Sequence, residues 1–201
     1  MGRPGESAVI IRAPVNIVEC STIPATLAEV ADEPNWLSDD EQEAWRAFVL
    51  ARHLLEDALD RQLQQDSGMP HAYFMILTVL IEAEGHVVRM GDLAARLSFS
   101  RSRLTHAVAR IERSGWVERR PDPSDGRGHL AALTPAGGRA QRDAAVGHVA
   151  EVRRVLVDRL TPAQIGQLAA ISAAVIDGFT TEPGTIPEGR PRSIPRRAEP
   201  A

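Results

Sequence analysis

Apolar residues recur at helical spacing over most of the chain, and the period changes in one place, between Trp116 and Leu133. Over residues 39–65, Trp45, Phe48, Leu55, Leu59 and Leu63 make one stripe, which Leu50, Leu54 and Ala58 widen. Apolar coverage that broad predicts a long helix buried on more than one side, as between two subunits. Ser38-Asp-Asp-Glu41 fits a capping box at its start. His71 to Ala83 is a short, very apolar segment (Tyr73, Phe74, Ile76, Leu77, Leu80, Ile81), a core helix, and Gly85 to Val88 should turn and add a short strand. After the change of period, Thr134-Pro135 and Thr161-Pro162-Ala-Gln164 read as helix starts, a cap followed by proline where no amide bond is lost. These predict helices to about Leu160 and about Gly178.

The middle of the chain is different. A short helix carries Leu93, Ala94 and Leu97; Ser98-Phe99 is a tight turn; Ser100 is placed to cap a second helix. In that helix Leu104, Ala107, Val108 and Ile111 form an apolar stripe. Ser102, Arg103, His106, Ala109, Arg110 and Arg113 fall on the opposite side. One buried stripe with a basic, hydroxyl-rich opposite face suits a helix lying in the major groove of DNA. Gly115 should end it, since glycine reaches positive φ freely. Trp116 to Arg120 and His129 to Leu133 then read as strands flanking a turn-rich loop, Pro121 to Gly128. Arg119, Arg120 and Arg127 decorate this hairpin. A helix-turn-helix followed by a basic hairpin is a winged helix, and a slender hairpin can enter the minor groove, where arginine is drawn by negative potential.

The run Asp92-Leu-Ala-x-x-Leu97, the Ser-x-Ser-x-Leu-Thr105 of the second helix, and Ile111-Glu-x-x-Gly-Trp-Val-Glu-Arg119 resemble the MarR family of transcriptional regulators. The strongest marks are Asp125-Gly-Arg127 at the wing tip and Leu133-Thr-Pro-Ala-Gly137 leading into the next helix. The resemblance covers roughly Leu37 to Gly178 in order and spacing. It implies that Asp125 and Arg127 pair to brace the wing and that Arg127 reaches DNA. It also implies that small aromatic acids or phenols bind near the first two helices, where Trp45, Arg46, His53, His71 and Tyr73 are the candidates. For each of those five residues alone, core packing or a satisfied polar contact is the competing explanation. Cys20 is similar in kind, though not in place, to the cysteine of the peroxide-sensing branch.

Composition redirects one inference. A net charge of −4 would argue against nucleic acid if evenly spread. It is not: residues 85–142 hold 11 arginines against 5 acids, so a basic module sits on an acidic remainder. The chain has no lysine, which excludes Schiff-base and P-loop lysine chemistry. A single cysteine excludes an intrachain disulfide and a CxxC metal site. No serine, histidine and aspartate stand in a nucleophile-elbow frame. No enzyme activity, cofactor or metal is therefore expected. The longest apolar run, Ala72 to Ile81, is too short to span a bilayer. No leader is read either, so the cytoplasm is the expected location and no membrane partner is expected.

These readings converge on a mainly α fold with a small β-hairpin wing, a winged helix-turn-helix with N- and C-terminal dimerisation helices. Residues 1–34 are expected to be a mobile extension, 35–180 the winged-helix domain, and 181–201 a disordered Pro/Arg-rich tail. Within the domain the DNA-binding lobe covers about 70–134, and the dimerisation helices 39–65 and 135–178. The expected partners are double-stranded DNA, a second copy of the chain, and a small aromatic acid or phenolic effector. Residues expected at DNA are Ser100, Arg101, Ser102, Arg103, Thr105, His106, Arg110, Arg119 and Arg127. The expected function is a ligand-responsive repressor on an inverted-repeat operator; the alternative is a nonspecific architectural DNA-binding protein.

Overall fold

The computed structural model describes residues 35–181, without the side chains of Arg127, Thr180 and Thr181. The extensions expected at 1–34 and in the tail beyond Thr181, and Cys20 with them, lie outside the described residues. In chain order the elements are α1 (Asp39–Ser67), α2 (His71–Glu82), a 3-10 turn (Glu84–His86), β1 (Val87–Arg89), α3 (Met90–Leu97), α4 (Arg101–Arg113), β2 (Val117–Asp122), β3 (Asp125–Leu133), α5 (Pro135–Val155), a 3-10 turn (Val157–Arg159) and α6 (Pro162–Thr181). The fold is mostly helical with one small antiparallel sheet of order β1-β3-β2. Contacts divide the chain at Glu43/Ala44; everything below concerns the second unit, apart from the cap of α1.

The caps read from the sequence are present. Ser38 N–H donates to Glu41 Oε2 at 2.7 Å and Glu41 N–H returns to Ser38 Oγ at 3.4 Å. Thr161 N–H donates to Gln164 Oε1 at 2.9 Å, and Gln164 N–H to Thr161 Oγ1 at 3.3 Å. Thr134 Oγ1 accepts from Gly137 N–H at 3.0 Å and donates to Gly115 O at 2.7 Å, so one hydroxyl starts α5 and ties it to the end of α4.

The core lies where α2, α3, α4 and the sheet meet. Ile76, Leu77 and Leu80 of α2, Leu93 of α3, Leu104, Val108 and Ile111 of α4, and Val117 of β2 are fully buried, joined by Leu63 from the end of α1. The stripe expected on α4 is thus the face it buries, and its polar face is left outward. By contrast, Trp45, Phe48 and Leu54 of α1, Val146 and Val149 of α5, and Ile171, Val175 and Phe179 of α6 are exposed in the single chain. No helix among the described residues is long and apolar enough to cross a membrane.

Two elements differ from expectation. The loop read over Pro121 to Gly128 is nearly all strand: Pro121 pairs with His129 and Asp122 with Asp125, leaving only Pro123 and Ser124 as the turn. Proline is tolerated because β2 is an edge strand and a register shift falls between Pro121 and Asp122. Turn-forming composition was therefore a poor guide to loop length. The helix expected to reach Leu160 stops at Val155. Leu156 leaves the helical region at φ −131°, ψ −65°, and Arg159 Nε then donates to Arg154 O at 3.0 Å, serving a carbonyl at the helix end.

Candidate nucleic-acid interface

The second helix of the helix-turn-helix is held at both ends. Ser98 takes a left-handed conformation, φ 53°, with its N–H on Ala95 O and the Phe99 N–H on Ala94 O, which closes α3. Two residues later Ser100 Oγ accepts from Arg103 N–H at 3.2 Å and opens α4. At the far end Ser114 N–H and Gly115 N–H reach back to Arg110 O and Glu112 O, with Gly115 at φ 72°.

Between these ends, Arg101, Ser102, Arg103, Thr105, His106 and Arg110 are all exposed, as is the cap Ser100. The Arg103 guanidinium lies over the Phe99 ring, 4.1 Å from its centroid. A cation–π contact of this kind contributes on the order of 0.5–1 kcal/mol at an exposed site and limits where the head can point. Thr105 Oγ1 donates to Arg101 O at 2.8 Å, so its lone pairs remain turned outward as acceptors.

Beside the N-terminal half of α4 is a concavity of about 540 Å³, bounded by the wing and the start of α3 and lined by Arg89, Arg101, Thr105, Arg119, Asp125 and His129, among others. Arg119, grouped by position with the DNA-facing arginines, is engaged by Glu112: its guanidinium lies 2.6 Å from Oε2, and its backbone N–H donates to Oε1 at 3.1 Å. The hydrogen bonds from Arg119, followed by its charge, hold the Glu112 carboxyl below the usual carboxylate range. This pair joins the last turn of α4 to β2, so Arg119 positions the wing against the recognition helix.

A second brace was not legible in the sequence. The Asp122 side chain is 4% exposed and lies 2.9 Å from Arg89 Nε. Asp122 Oδ1 also accepts from Ser124 N–H at 2.9 Å and Ser124 Oγ at 2.7 Å. The Ser124 bonds, more than the Arg89 charge, hold its pKa down. The turn of the wing is thereby fixed to β1. A carboxylate with a lowered folded pKa stabilises above its unfolded value of about 3.9, and that contribution fades as pH falls through the lower folded value. Asp122→Asn is expected to raise the amide hydrogen-exchange rate of the non-proline residues of 121–128 at neutral pH and to remove the extra loosening of the wing that the parent chain should show as pH falls through the lowered value. Unchanged exchange in the variant would show that the turn closes without the carboxylate.

The Asp125 and Arg127 pairing lies outside the described residues, because the Arg127 side chain is not described; Asp125 itself lines the concavity.

The five residues expected around an effector are spread over α1 and α2. Trp45 is exposed and tilted against Phe48, with ring centroids 6.3 Å apart. Arg46 and His53 are exposed on the same helix. Tyr73 is half-buried and packs on the core. His71 is half-buried, its N–H on Asp60 Oδ1 at 2.8 Å and its ring stacked on His148 at 5.5 Å. None of the five lines the concavity by the wing or the smaller cavity between α1 and α5.

His148 packs on Phe74 at 4.4 Å, and its Nδ1 is buried without a partner. Burial lowers both imidazole pKa values, against opposing attraction from Asp60 and Glu56 at His71. The folded chain then binds fewer protons than the unfolded chain below about pH 6.5, so stability should fall as pH drops from about 7.5 to about 5.5. His148→Phe keeps a ring against Phe74 and should flatten that fall in a thermal melt. An equal fall in the variant would place the linkage elsewhere.

A helix-turn-helix packed on a three-stranded sheet, with a basic outer helix face beside a braced hairpin, defines a winged helix-turn-helix. A family profile described as MarR family matches residues 67–128. The crystal structure of Sco3205, a MarR family transcriptional regulator from Streptomyces coelicolor in complex with DNA, is similar with 46% identity and a TM-score of 0.72, over 80% of this chain and 99% of that one. The chain belongs to the MarR family. Two curated relatives from Escherichia coli match shorter stretches. The HTH-type transcriptional regulator PrsX is 31% identical over 70 residues, 35% of this chain. The transcriptional repressor MprA of strain K12 is 29% identical over 90 residues, 44% of this chain. The matches span 42% and 51% of the lengths of these two relatives.

Proposed function

We propose that the chain is a homodimeric, sequence-specific DNA-binding transcriptional repressor acting on an inverted-repeat operator. The observation that carries the reading is the outer face of α4: Arg101, Ser102, Arg103, Thr105, His106 and Arg110 exposed together on a helix whose other face is core. Such a face offers guanidinium forks for guanine edges and hydroxyls for either base edges or phosphates. Mixed chemistry of this kind favours base reading over architectural binding, for which phosphate contacts alone suffice. The DNA-bound state of Sco3205 and the repressor role of MprA support the same direction. The exposed apolar residues of α1, α5 and α6 fit pairing with a second copy, and two-fold pairing of two lobes calls for half-sites about one DNA turn apart.

The proposed effector class is a small aromatic acid or phenol. Trp45 offers an exposed aromatic surface for it on α1, with Arg46 and His53 on the same helix; His71 and Tyr73 are already packed. Selection of a preferred site from random DNA, followed by competition with scrambled DNA, tests the central claim. Equal binding to selected and scrambled duplexes would establish the architectural alternative. The wing adds a separate expectation. Arg127→Ala in both subunits should lower the slope of log affinity against log salt by about 2, as two phosphate-neutralising cations are lost. Asp125→Ala should weaken binding although it removes negative charge; tighter binding would mean that the aspartate repels DNA and braces nothing.

A further inference from the structure

The ion pairs of the helix-turn-helix and wing are sorted by element. Arg89 of β1 is held by Asp122, Arg119 of β2 by Glu112, and Arg120 of β2 by Glu118. Among the described residues, Arg101, Arg103, Arg110 and Arg113 of α4 form no ion pair. Glu112 uses both carboxylate oxygens on one arginine. Oε1 accepts the Arg119 backbone N–H at 3.1 Å, while Oε2 accepts Nε at 2.8 Å and lies 2.6 Å from Nη2. The two side chains are only 32% and 35% exposed, so salt screens this pair less than an open surface pair. Glu118 and Arg120 meet through a single contact at 2.8 Å with more than half of each side chain exposed, a pairing that water loosens readily. Arg119 also lies where phosphates would pass. It lines the concavity beside the N-terminal half of α4, with Arg101 and Thr105 on one side and His129 on the other. A helix in the major groove and a hairpin at the adjacent minor groove place the intervening sugar-phosphate backbone between them.

We infer, resting on the DNA-binding reading above, that Glu112 is a specificity-determining residue: it withholds the Arg119 cation from phosphate, keeps affinity for DNA of any sequence low, and leaves discrimination to the exposed face of α4. Specificity is a difference between two affinities, so weakening attraction to wrong sites raises it as surely as strengthening attraction to the right one. Phosphate neutralisation supplies the sequence-independent part of binding through release of counterions. A guanidinium already neutralised by a carboxylate of its own chain adds nothing to that release. The carboxylate must be ionised to act this way, and the Arg119 hydrogen bonds hold its pKa below the usual carboxylate range, well under neutral pH. The unpaired arginines of α4 keep their full charge for DNA. Glu112→Gln separates the two roles of the pair. Its amide oxygen can still accept the Arg119 backbone N–H and tie α4 to β2, whereas its amide nitrogen is a donor and cannot hold the guanidinium.

The test measures binding of the full chain to a selected and a scrambled duplex between about 50 and about 200 mM salt. Glu112→Gln should bind the scrambled duplex more tightly than the parent does. Its slope of log affinity against log salt should be steeper by about 2 per dimer, one new phosphate contact in each subunit. The fourfold rise in salt should then cost it about tenfold more affinity than it costs the parent. The ratio of selected to scrambled affinity should fall. Glu112→Gln combined with Arg119→Gln has a pair without net charge, as in the parent, and should keep the parent's slope; this arm stands even if the single variant fails to fold. A pair that only braces the wing gives the reverse in Glu112→Gln, lower affinity for both duplexes at an unchanged slope, and that result overturns the proposal. A slope shallower by about 2 in the double variant overturns it too, because Arg119 would then already neutralise phosphate in the parent. A parent that binds both duplexes alike refutes sequence reading alone, and the slopes on scrambled duplex still decide the role of Glu112.

Discussion

Arg103→Ala is expected to weaken binding to the preferred operator by about 1–3 kcal/mol per half-site, the usual worth of a bidentate contact to guanine. Two half-sites act together in a dimer, so the loss for the whole operator should reach about 2–6 kcal/mol, roughly 30-fold to 20,000-fold at about 1.4 kcal/mol per factor of ten. The reason for choosing Arg103 over its neighbours is geometric. It stands in the first turn of α4, where recognition helices approach base edges. It is exposed, and its guanidinium is already oriented over Phe99 at 4.1 Å. A pre-oriented fork loses less freedom on binding than a loose one. The measurement is a pair of affinities, for operator and for random duplex, at one salt concentration. A larger loss on operator marks base reading. An equal loss on both would make Arg103 a phosphate contact and move the reading of sequence to His106 or Arg110.

The second large effect concerns two adjacent glycines in the first turns of α5, which should respond to the same substitution with opposite sign. A Cβ at Gly137 would lie 2.1 Å from Trp116 O and 2.9 Å from Trp116 C, a clash with backbone that cannot rotate away. Trp116 is also fixed on both sides, through its N–H to Ile111 O and its carbonyl to Thr134 N–H. Gly137→Ala should therefore cost about 1–3 kcal/mol or more through overpacking, outweighing the gain in helix propensity of up to about 1 kcal/mol. At Gly138 the nearest atoms to a new Cβ are the flexible end of Arg142 at 3.4 Å and Leu133 Cδ2 at 3.7 Å. There propensity wins, and Gly138→Ala should stabilise by up to about 1 kcal/mol, or roughly 2–4 °C for a domain of this size. Thermal melts of the two variants decide the matter. A Gly137→Ala chain as stable as the parent would mean that α5 and the α4–β2 joint can move apart.

The sequence by itself determined the elements whose signals are local. A cap speaks to an amide two or three residues away, and an apolar stripe is read from residues three and four apart. For this reason Ser100, Thr134 and Thr161, the buried face of α4, the turn at Ser98 and Phe99, and the left-handed exit at Gly115 all stand where the chain's own pattern puts them. Only the tertiary structure decided how the arginines divide their work. Arg89, Arg103 and Arg119 are chemically identical, yet one holds the buried Asp122, one lies over Phe99 with its face to solvent, and one is held by Glu112. Arg89 reaches Ser124 across 35 residues of chain. Pairing at that range depends on the sheet register, and no periodicity encodes it. The same holds for the length of the wing, where Pro121 is drawn into pairing with His129 and Gly128 into β3 although both favour a turn. It holds too for the cavity beside Gly147, because the space between α1 and α5 exists only after the two helices have packed. Local rules are written in neighbouring residues; charge pairing, strand length and empty volume are properties of surfaces that folding brings together.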